Sequence, residues 1–374
     1  MRFEVMARDS RTSGRRGKLH TARGVVDTPA FMPVGTRAAV RGLRPQEVAA
    51  TGAQMILANT YHLFLRPGTE VIEALGGLHR FMNWHAPVLT DSGGYQVYSL
   101  APFRHLEHDA VVFRSHLDGT LHRFRPEDSL AVQASLGSDI ALVLDECPAL
   151  PSAKTELENA VERTTRWARR SREVWRGPGA LFGIVQGGTD PNLRERSARE
   201  IVEIGFDGHA IGGVSVGEDR ALGARITAHT AALLPEERPR YLMGVGTPPE
   251  ILDAVIAGVD LFDCVLPTRN ARNGMLFTRA GRMNIQREEY RVDPRPPEED
   301  CGCPTCRSHS RAYLRHLSVT REMLSGILNT IHNLHFYQQL MREIRSAIEE
   351  GRLQELKQQR YPGSVGAAAG GERI

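Results

Sequence analysis

Three aspartates stand at the ends of short apolar runs: Asp91 in TDSGGYQ (90–96), Asp145 in LDEC (144–147) and Asp263 in LFDCVLPTRNARNG (261–274). Taken singly, an aspartate after such a run is an ordinary helix N-cap, and a Gly-Gly pair is an ordinary turn. The signal is their coincidence with Gln186-Gly187-Gly188, Gly212-Gly213-Val214 and Gly244-Val245-Gly246, which also follow apolar runs. Carboxylates and a glutamine accept from N–H edges, glycine backbone approaches a ligand closely, and Tyr95 or Met243 can cover a ring face. That inventory suits a planar, donor-rich heterocycle. Three carboxylates brought together repel, so at least one pKa rises, and labour divides between an ionised nucleophile and a proton carrier. Displacing a heterocycle from a sugar passes through an oxocarbenium-like centre that a carboxylate can trap, the logic of retaining glycoside chemistry. Arg269 and Arg272 follow Asp263 closely and have the forked geometry that suits phosphates and base edges.

A second cluster has metal-ligand spacing. Cys301, Cys303 and Cys306 form C-x-C-x2-C in CGCPTC, too tight for a disulfide framework in a reducing compartment. Three thiolates and one imidazole make a closed tetrahedral zinc site of the structural kind. His332, in TIHNLHFYQQL (330–340), is taken as the fourth ligand because it begins the helix such a knuckle would clamp. His309, His316 and His335 compete for the position. With no coordination position open, this zinc is not expected to catalyse anything.

Gathering the strand ends at one place requires a scaffold. Runs of β type occur at Pro29–Val34, Met55–Ala58, Val88–Thr90, Ile140–Leu144, Leu181–Val185, His209–Ile211, Arg240–Met243 and Val259–Phe262. Helical segments fill most gaps, several opening at a proline (Pro45, Pro126, Pro191, Pro248), as a first helical turn tolerates. The clearest is Lys154–Trp175, with Leu157, Val161, Thr164, Ala168 and Val174 on one face. Eight strands alternating with helices predict an α/β fold, a (β/α)8 TIM barrel whose chemistry sits at the carboxyl ends of the strands. A doubly wound open sheet shares the rhythm but displays a glycine-rich phosphate loop after its first strand. Here there is no G-x-G-x-x-G or P-loop, and GRRGK (14–18) has the wrong spacing. Hairpins are expected at Val111–Phe124, turning at Asp118-Gly119, and at Met275–Ile285, turning near Ala280-Gly281. The expected organisation is a catalytic barrel over 1–290, a zinc-binding helical subdomain over 291–360 and a flexible Gly/Ala-rich tail over 361–374.

The 374 residues carry 47 Lys and Arg against 44 Asp and Glu, a net charge of +3, so no global field announces a polyanion partner. The basic residues are nearly all arginine, which favours bidentate contacts, although a GC-rich genome gives the same bias. The start, MRFEVMARDS, lacks the apolar core of a signal peptide, and no run approaches the roughly 20 apolar residues of a membrane span. A cytoplasmic protein without membrane association is expected.

With these residues assembled, the chain resembles a tRNA-guanine transglycosylase of the bacterial type. The resemblance rests on TDSGGYQVYSL, FRSHLDG, LGSD, LDECP, FGIVQGG, IGGVSVGE, YLMGVG, FDCVLPTRNARNG, CGCPTC and TIHNLHFYQQL, in that order along nearly the whole chain. It implies a pentosyltransferase on a (β/α)8 barrel with a structural zinc. Such an enzyme exchanges guanine at the wobble position (G34) of tRNAs with GUN anticodons for 7-aminomethyl-7-deazaguanine (preQ1), in queuosine biosynthesis, by double displacement. By motif, Asp263 resembles the nucleophile that attacks ribose C1′, and Asp91 the general acid/base. The resemblance puts base binding on Asp91, Ser92, Gly93, Tyr95, Asp145, Cys147, Gln186, Gly212, Gly213, Val214 and Met243, with Tyr95 and Met243 sandwiching the ring. It puts RNA binding on Gly244, Val245, Gly246, Thr268, Arg269, Asn270, Ala271 and Arg272. It also implies zinc on Cys301, Cys303, Cys306 and His332, tRNA, preQ1 and guanine as substrates, and a homodimer. The target nucleotide must leave its stack to reach such a pocket.

Cys147 and Val216 match the bacterial pattern that suits preQ1 rather than the bulkier queuine. Val214 stands where many bacterial members have leucine, which reshapes the base pocket slightly, and Thr247 where a lysine often follows the GVG turn. Two other readings fit less well. A retaining glycoside hydrolase is usually rich in Trp and Glu at its site, whereas the three tryptophans here lie away from the strand-end motifs. A noncatalytic tRNA-binding zinc subunit tends to lose its carboxylates, and all three aspartates are present.

Overall fold

Eight of the apolar runs are strands of one parallel sheet in the computed structural model, which describes residues 1–100 and 103–362. They are β1 (Ala30–Met32), β2 (Ile56–Ala58), β3 (Val88–Thr90), β4 (Ile140–Leu142), β5 (Ala180–Val185), β6 (Gly208–Ile211), β7 (Arg240–Leu242) and β8 (Leu261–Asp263). Each pairs with its sequence neighbour, and β8 returns to pair with β1, Asp263 lying opposite Met32. The last gap, between β1 and β2, is bridged by the parallel pair Val34 and Leu57. There Gly35 N–H donates to Leu57 O at 2.7 Å and Leu57 N–H to Pro33 O at 3.0 Å. The sheet is thus the (β/α)8 barrel that the alternation of elements predicts. Helices cover the outer face and side chains fill the inside, which is why the strands read as continuous apolar runs rather than alternating ones; all six residues of β5 are buried.

Strand ends differ from expectation by one or two residues, as hydrogen-bond criteria commonly shift them. The consequential case is the last strand, expected at Val259–Phe262 and found at Leu261–Asp263, so that Asp263 is the final strand residue rather than the first loop residue. Pro45, Pro126, Pro191 and Pro248 each open a helix. Helix α1 (Lys154–Val174) buries Leu157, Val161, Thr164 and Ala168 of the predicted face, while Val174, in its last turn, is exposed; α2 (Pro191–Ile204) is capped by Asp190, whose carboxylate accepts from the N–H groups of Asn192 and Leu193. Both predicted hairpins are present, at Val111–Arg114 with Leu121–Phe124 and Met275–Thr278 with Gly281–Asn284.

Two features escape a periodicity reading. Arg2–Arg8, Arg15–Thr21 and Gly24–Thr28 form an antiparallel sheet ahead of the barrel. Its first strand, RFEVMAR, is exposed at alternate positions and has only Val5-Met6-Ala7 as a continuous apolar stretch, so it does not stand out as a buried strand. Arg104–Leu106 adds a third strand to the first hairpin.

After β8 come a short helix, α3 (Leu266–Arg272), the second hairpin, the cysteine knuckle and the long helix α4 (Met323–Glu349). The α4 residues Leu334, Tyr337, Leu340, Met341, Ile344 and Ile348 belong to the barrel's own hydrophobic core. A smaller cluster of Leu276, Ile285, Leu314, Leu317 and Leu328 sits between the hairpin and the knuckle region. The helix therefore contributes to both clusters. Most of the expected tail, 363–374, lies outside the described residues.

Candidate active site

A cavity of about 410 Å³ opens where the strands end. Asp91 follows β3, Asp145 follows β4, Gln186 follows β5, Gly212 follows β6, Met243 follows β7 and Asp263 ends β8. All of them line this one cavity, as do Ser92, Gly93, Tyr95, Cys147, Gly213, Val214 and Gly244. The barrel's closure is the reason. Residues scattered over the chain converge because each leaves a parallel strand at the same end.

Each carboxylate is held differently. Asp91 accepts from Asn59 Nδ2 on one oxygen and from Thr60 N–H, at 2.9 Å, on the other. Asp145 accepts from Ser92 Oγ at 3.1 Å and, on its second oxygen, from Gln186 Nε2 at 2.7 Å. Asp263 takes both of its donors, Tyr241 OH at 2.6 Å and Gly244 N–H at 2.7 Å, on Oδ1. No partner holds its Oδ2 among the described residues.

Burial dominates the electrostatics. Desolvation pushes Asp91 up to about 6 against the lowering donors Asn59 and Thr60, with the charge of Asp263 adding to the rise. Desolvation also raises Asp145 to about 6, opposed by Gln186 and Ser92 and reinforced by Glu146. Asp263 is raised by the same cause, against Tyr241 and Gly244. No cation appears among the groups that shift any of the three. A buried acid near 6 can give and take a proton near neutral pH, which suits general acid/base work. The Cys147 thiol is pushed by burial up to about 12, so it stays neutral beside them.

The walls suit a flat ligand. Tyr95 is 52% exposed, so its ring is available, and Met243 is half-buried. Gln186 keeps Oε1 buried and unpartnered. Gly213 has φ +64°, and a Cβ there would stand 2.5 Å from that oxygen, so the close approach needs glycine.

Of the residues expected to bind RNA, Gly244 lies on the cavity wall. Arg269 is exposed, while Asn270 and Arg272 are half-buried. Val245, Gly246, Thr268 and Ala271 are buried. Arg272 belongs instead to a separate groove with Arg41 and Arg321. Burial and the charges of Arg41 and Arg269 lower its pKa.

The metal-ligand residues also meet. Cys301, Cys303, Cys306 and His332 offer atoms all within 4.8 Å of one another, with His332 Nδ1 at 3.2 Å from Cys306 Sγ. His332 Nε2 faces Phe277 O at 2.8 Å, the outer partner that fixes a ligating imidazole. His309, His316 and His335 are not part of the cluster. A soft, closed donor set of three sulfurs and one nitrogen fits a tetrahedral ion.

Asn59 stands at a strand end in the sequence, but its bond to Asp91 is not legible there. Two further residues at the site escape a reading of the sequence. Tyr241 lies within a strand and reads as core. Arg194 reads as a surface residue of an amphipathic helix, yet it is buried.

A closed barrel whose open end gathers three carboxylates, none of them in an ion pair, around a ring-sized cavity fits an enzyme of the glycosyl-transfer class. The family described as queuine tRNA-ribosyltransferase matches residues 9–364. Curated relatives bearing that name include one from Pelotomaculum thermopropionicum, 54% identical over 352 residues, spanning 94% of this chain and 95% of the relative. Another, from Thioalkalivibrio sulfidiphilus, is 54% identical over 356 residues, spanning 95% of each chain. A third, from Moorella thermoacetica, is 53% identical over 355 residues, again spanning 95% of each. The chain belongs to the queuine tRNA-ribosyltransferase family, whose members are pentosyltransferases. Among the described residues no helix is long and apolar enough to cross a membrane.

Proposed function

We propose that the protein exchanges guanine at the wobble position, G34, of tRNAs with GUN anticodons for preQ1, through a covalent bond between Asp263 and the ribose. The observation that carries this reading is the asymmetry of the Asp263 donors. With Tyr241 OH and Gly244 N–H both on Oδ1, the carboxylate is fixed in orientation while Oδ2 keeps its lone pairs for C1′.

In the first half, Oδ2 bonds to C1′ as the C1′–N9 bond breaks. Its electron pair leaves with guanine, which takes a proton from Asp91. In the second half, Asp91 removes the N9 proton of the incoming base, whose nitrogen attacks C1′ and releases Asp263. One proton crosses Asp91 in each direction per cycle. Asp145 accepts from the donor edge of the base, Gln186 and the backbone of Gly213 and Val214 contact its other edge, and Tyr95 and Met243 cover its faces. Cys147 and Val216 leave room for an aminomethyl group.

Arg269, Asn270, Arg272 and the backbone of Gly244 meet the flanking RNA; the buried Val245, Gly246, Thr268 and Ala271 support that surface from beneath. Zinc on Cys301, Cys303, Cys306 and His332 would pin residues 291–360 against a catalytic unit spanning 1–290. We further propose a cytoplasmic homodimer. The test is incubation with cognate tRNA and labelled guanine. Exchange by wild type, and none by Asp263→Ala, is expected; undiminished exchange by Asp263→Ala would sink the reading.

A further inference from the structure

Arg194 has no exposure and no carboxylate partner among the described residues. Its guanidinium donates only to backbone: Nε to Gly188 O at 2.9 Å, Nη1 to Val185 O at 3.1 Å and Gly212 O at 2.7 Å, and Nη2 to Gly213 O at 3.0 Å. A buried cation outside any salt bridge is costly to keep, and Glu218 favours its charge without bonding to it. Desolvation pulls it down to about 10, still charged at neutral pH. Of the four carbonyls it holds, that of Val185 ends β5 and the other three belong to the loops after β5 and β6, which supply Gln186, Gly212, Gly213 and Val214 to the cavity wall.

Peptide geometry gives this clamp a consequence on the other side of the wall. In a trans peptide the C=O and N–H point in opposite directions. Tying the carbonyls of Gly212 and Gly213 back to Arg194 therefore turns the N–H groups of Gly213 and Val214 the other way. The Gly213 N–H faces the Cys147 sulfur, which lines the cavity.

We propose that Arg194 is a positioning residue for base selection. By holding the Gly212 and Gly213 carbonyls from behind, it presents two backbone N–H groups that receive the oxygen at C6 of a purine. This rests on the reading of the cavity as a guanine site. The peptide dipoles aligned by the cation point their positive ends at that oxygen, where charge grows as the base departs.

The test compares wild type, Arg194→Lys and Arg194→Met, each with its metal content measured. Guanine and 2-aminopurine, which lacks the C6 oxygen, are the probes, read by calorimetry. Arg194→Met is expected to weaken guanine about 10- to 100-fold, as loss of hydrogen bonds to a charged group does. Its preference for guanine over 2-aminopurine should fall by the same factor, and Arg194→Lys, which keeps the charge with fewer donors, should lose less. A general loosening of the fold would weaken both purines together and leave the preference intact; that result overturns the proposal. Should neither variant fold, wild type still decides, because equal affinity for the two purines would refute it. A protein that selects guanine but exchanges none into tRNA would defeat the transglycosylase reading and leave the role of Arg194 standing.

Discussion

Asp145→Asn should make the protein more stable and less active at once, with a stability gain that depends on pH. Both existing hydrogen bonds survive the change. The amide oxygen can accept from Gln186 Nε2, and the amide nitrogen can donate to Ser92 Oγ, whose hydroxyl turns to accept. What disappears is a buried charge. The carboxyl is raised from 3.8 to about 6 on folding, chiefly by desolvation. Between those values the folded protein holds more protons than the unfolded chain, so the contribution of Asp145 to stability falls as pH rises and is most unfavourable above about 6. At about 1.4 kcal/mol per pKa unit, the neutral amide relieves about 3 kcal/mol at pH 7.5 and about 1 kcal/mol at pH 4.5. An unfolding entropy of about 2 cal/mol/K per residue over the whole chain turns the first figure into a rise of about 4 °C in the thermal midpoint. Calorimetric scans of both proteins at the two pH values provide the assay, with guanine exchange measured alongside. A midpoint gain that is absent at pH 7.5, or no larger there than at pH 4.5, would refute the claim that desolvation of this carboxylate is what the fold bears for its site.

Other perturbations probe the remaining parts. Tyr241→Phe removes the 2.6 Å donor from Asp263 while Gly244 N–H remains; kcat should fall about 10- to 100-fold with guanine affinity unchanged, and an unaltered kcat would remove Tyr241 from the mechanism. Asp91 must hold a proton to release guanine and be ionised to take the proton of the incoming base, so exchange should fall on both sides of pH about 6, the alkaline limb reporting the first half. Asn59→Ala, by deleting a donor that favours the ionised form, should move that limb upward; a pH–rate profile with its limb in place contradicts the assignment. Cys306→Ala should lose the bound metal and, with it, on the order of 10 kcal/mol of local folding free energy. Metal analysis and hydrogen exchange are the readouts. Protection should drop in 301–332 while β4 and β5 keep theirs, and full metal content in the variant would count against the ligand set.

The barrel was legible because its strands are short, apolar and punctuated, and because prolines mark four helix starts. The three aspartates were legible as a set, since a parallel barrel sends every strand end to one mouth. The donors that distinguish one aspartate from another were not. Tyr241 sits inside a strand, where an aromatic residue reads as packing, and the fact that its hydroxyl reaches Asp263 is a property of the β7–β8 register rather than of local sequence. Arg194 has the helical spacing of a solvated arginine; only the position of α2 over the β5 and β6 loops buries it. The first strand of the N-terminal sheet, RFEVMAR, carries only a three-residue apolar stretch because its residues are exposed or half-exposed along its length.

The two ends of β8 show how one residue type is put to opposite uses by what surrounds it. Asp260, just before the strand, has no side-chain exposure. Arg15 from the N-terminal sheet grips it with two donors, at 2.9 and 2.6 Å, and Arg240 N–H adds a third at 2.7 Å. Both oxygens are engaged, one of them by a charged partner and a backbone amide together, so this carboxylate holds the barrel's amino end to the N-terminal sheet. Asp263, at the other end of the same strand, is met by a phenol and a backbone amide on a single oxygen. No ion pair neutralises it; its donors are a phenol and a backbone amide, and Arg269, on the helix that follows, is exposed rather than paired with it. An unpaired buried charge is a cost to folding wherever it lies, so its place at the carboxyl end needs a return that packing cannot give. A reactive oxygen facing a cavity that fits a nucleobase is that return. The arginine that could have quenched it is found at the opposite pole of the barrel.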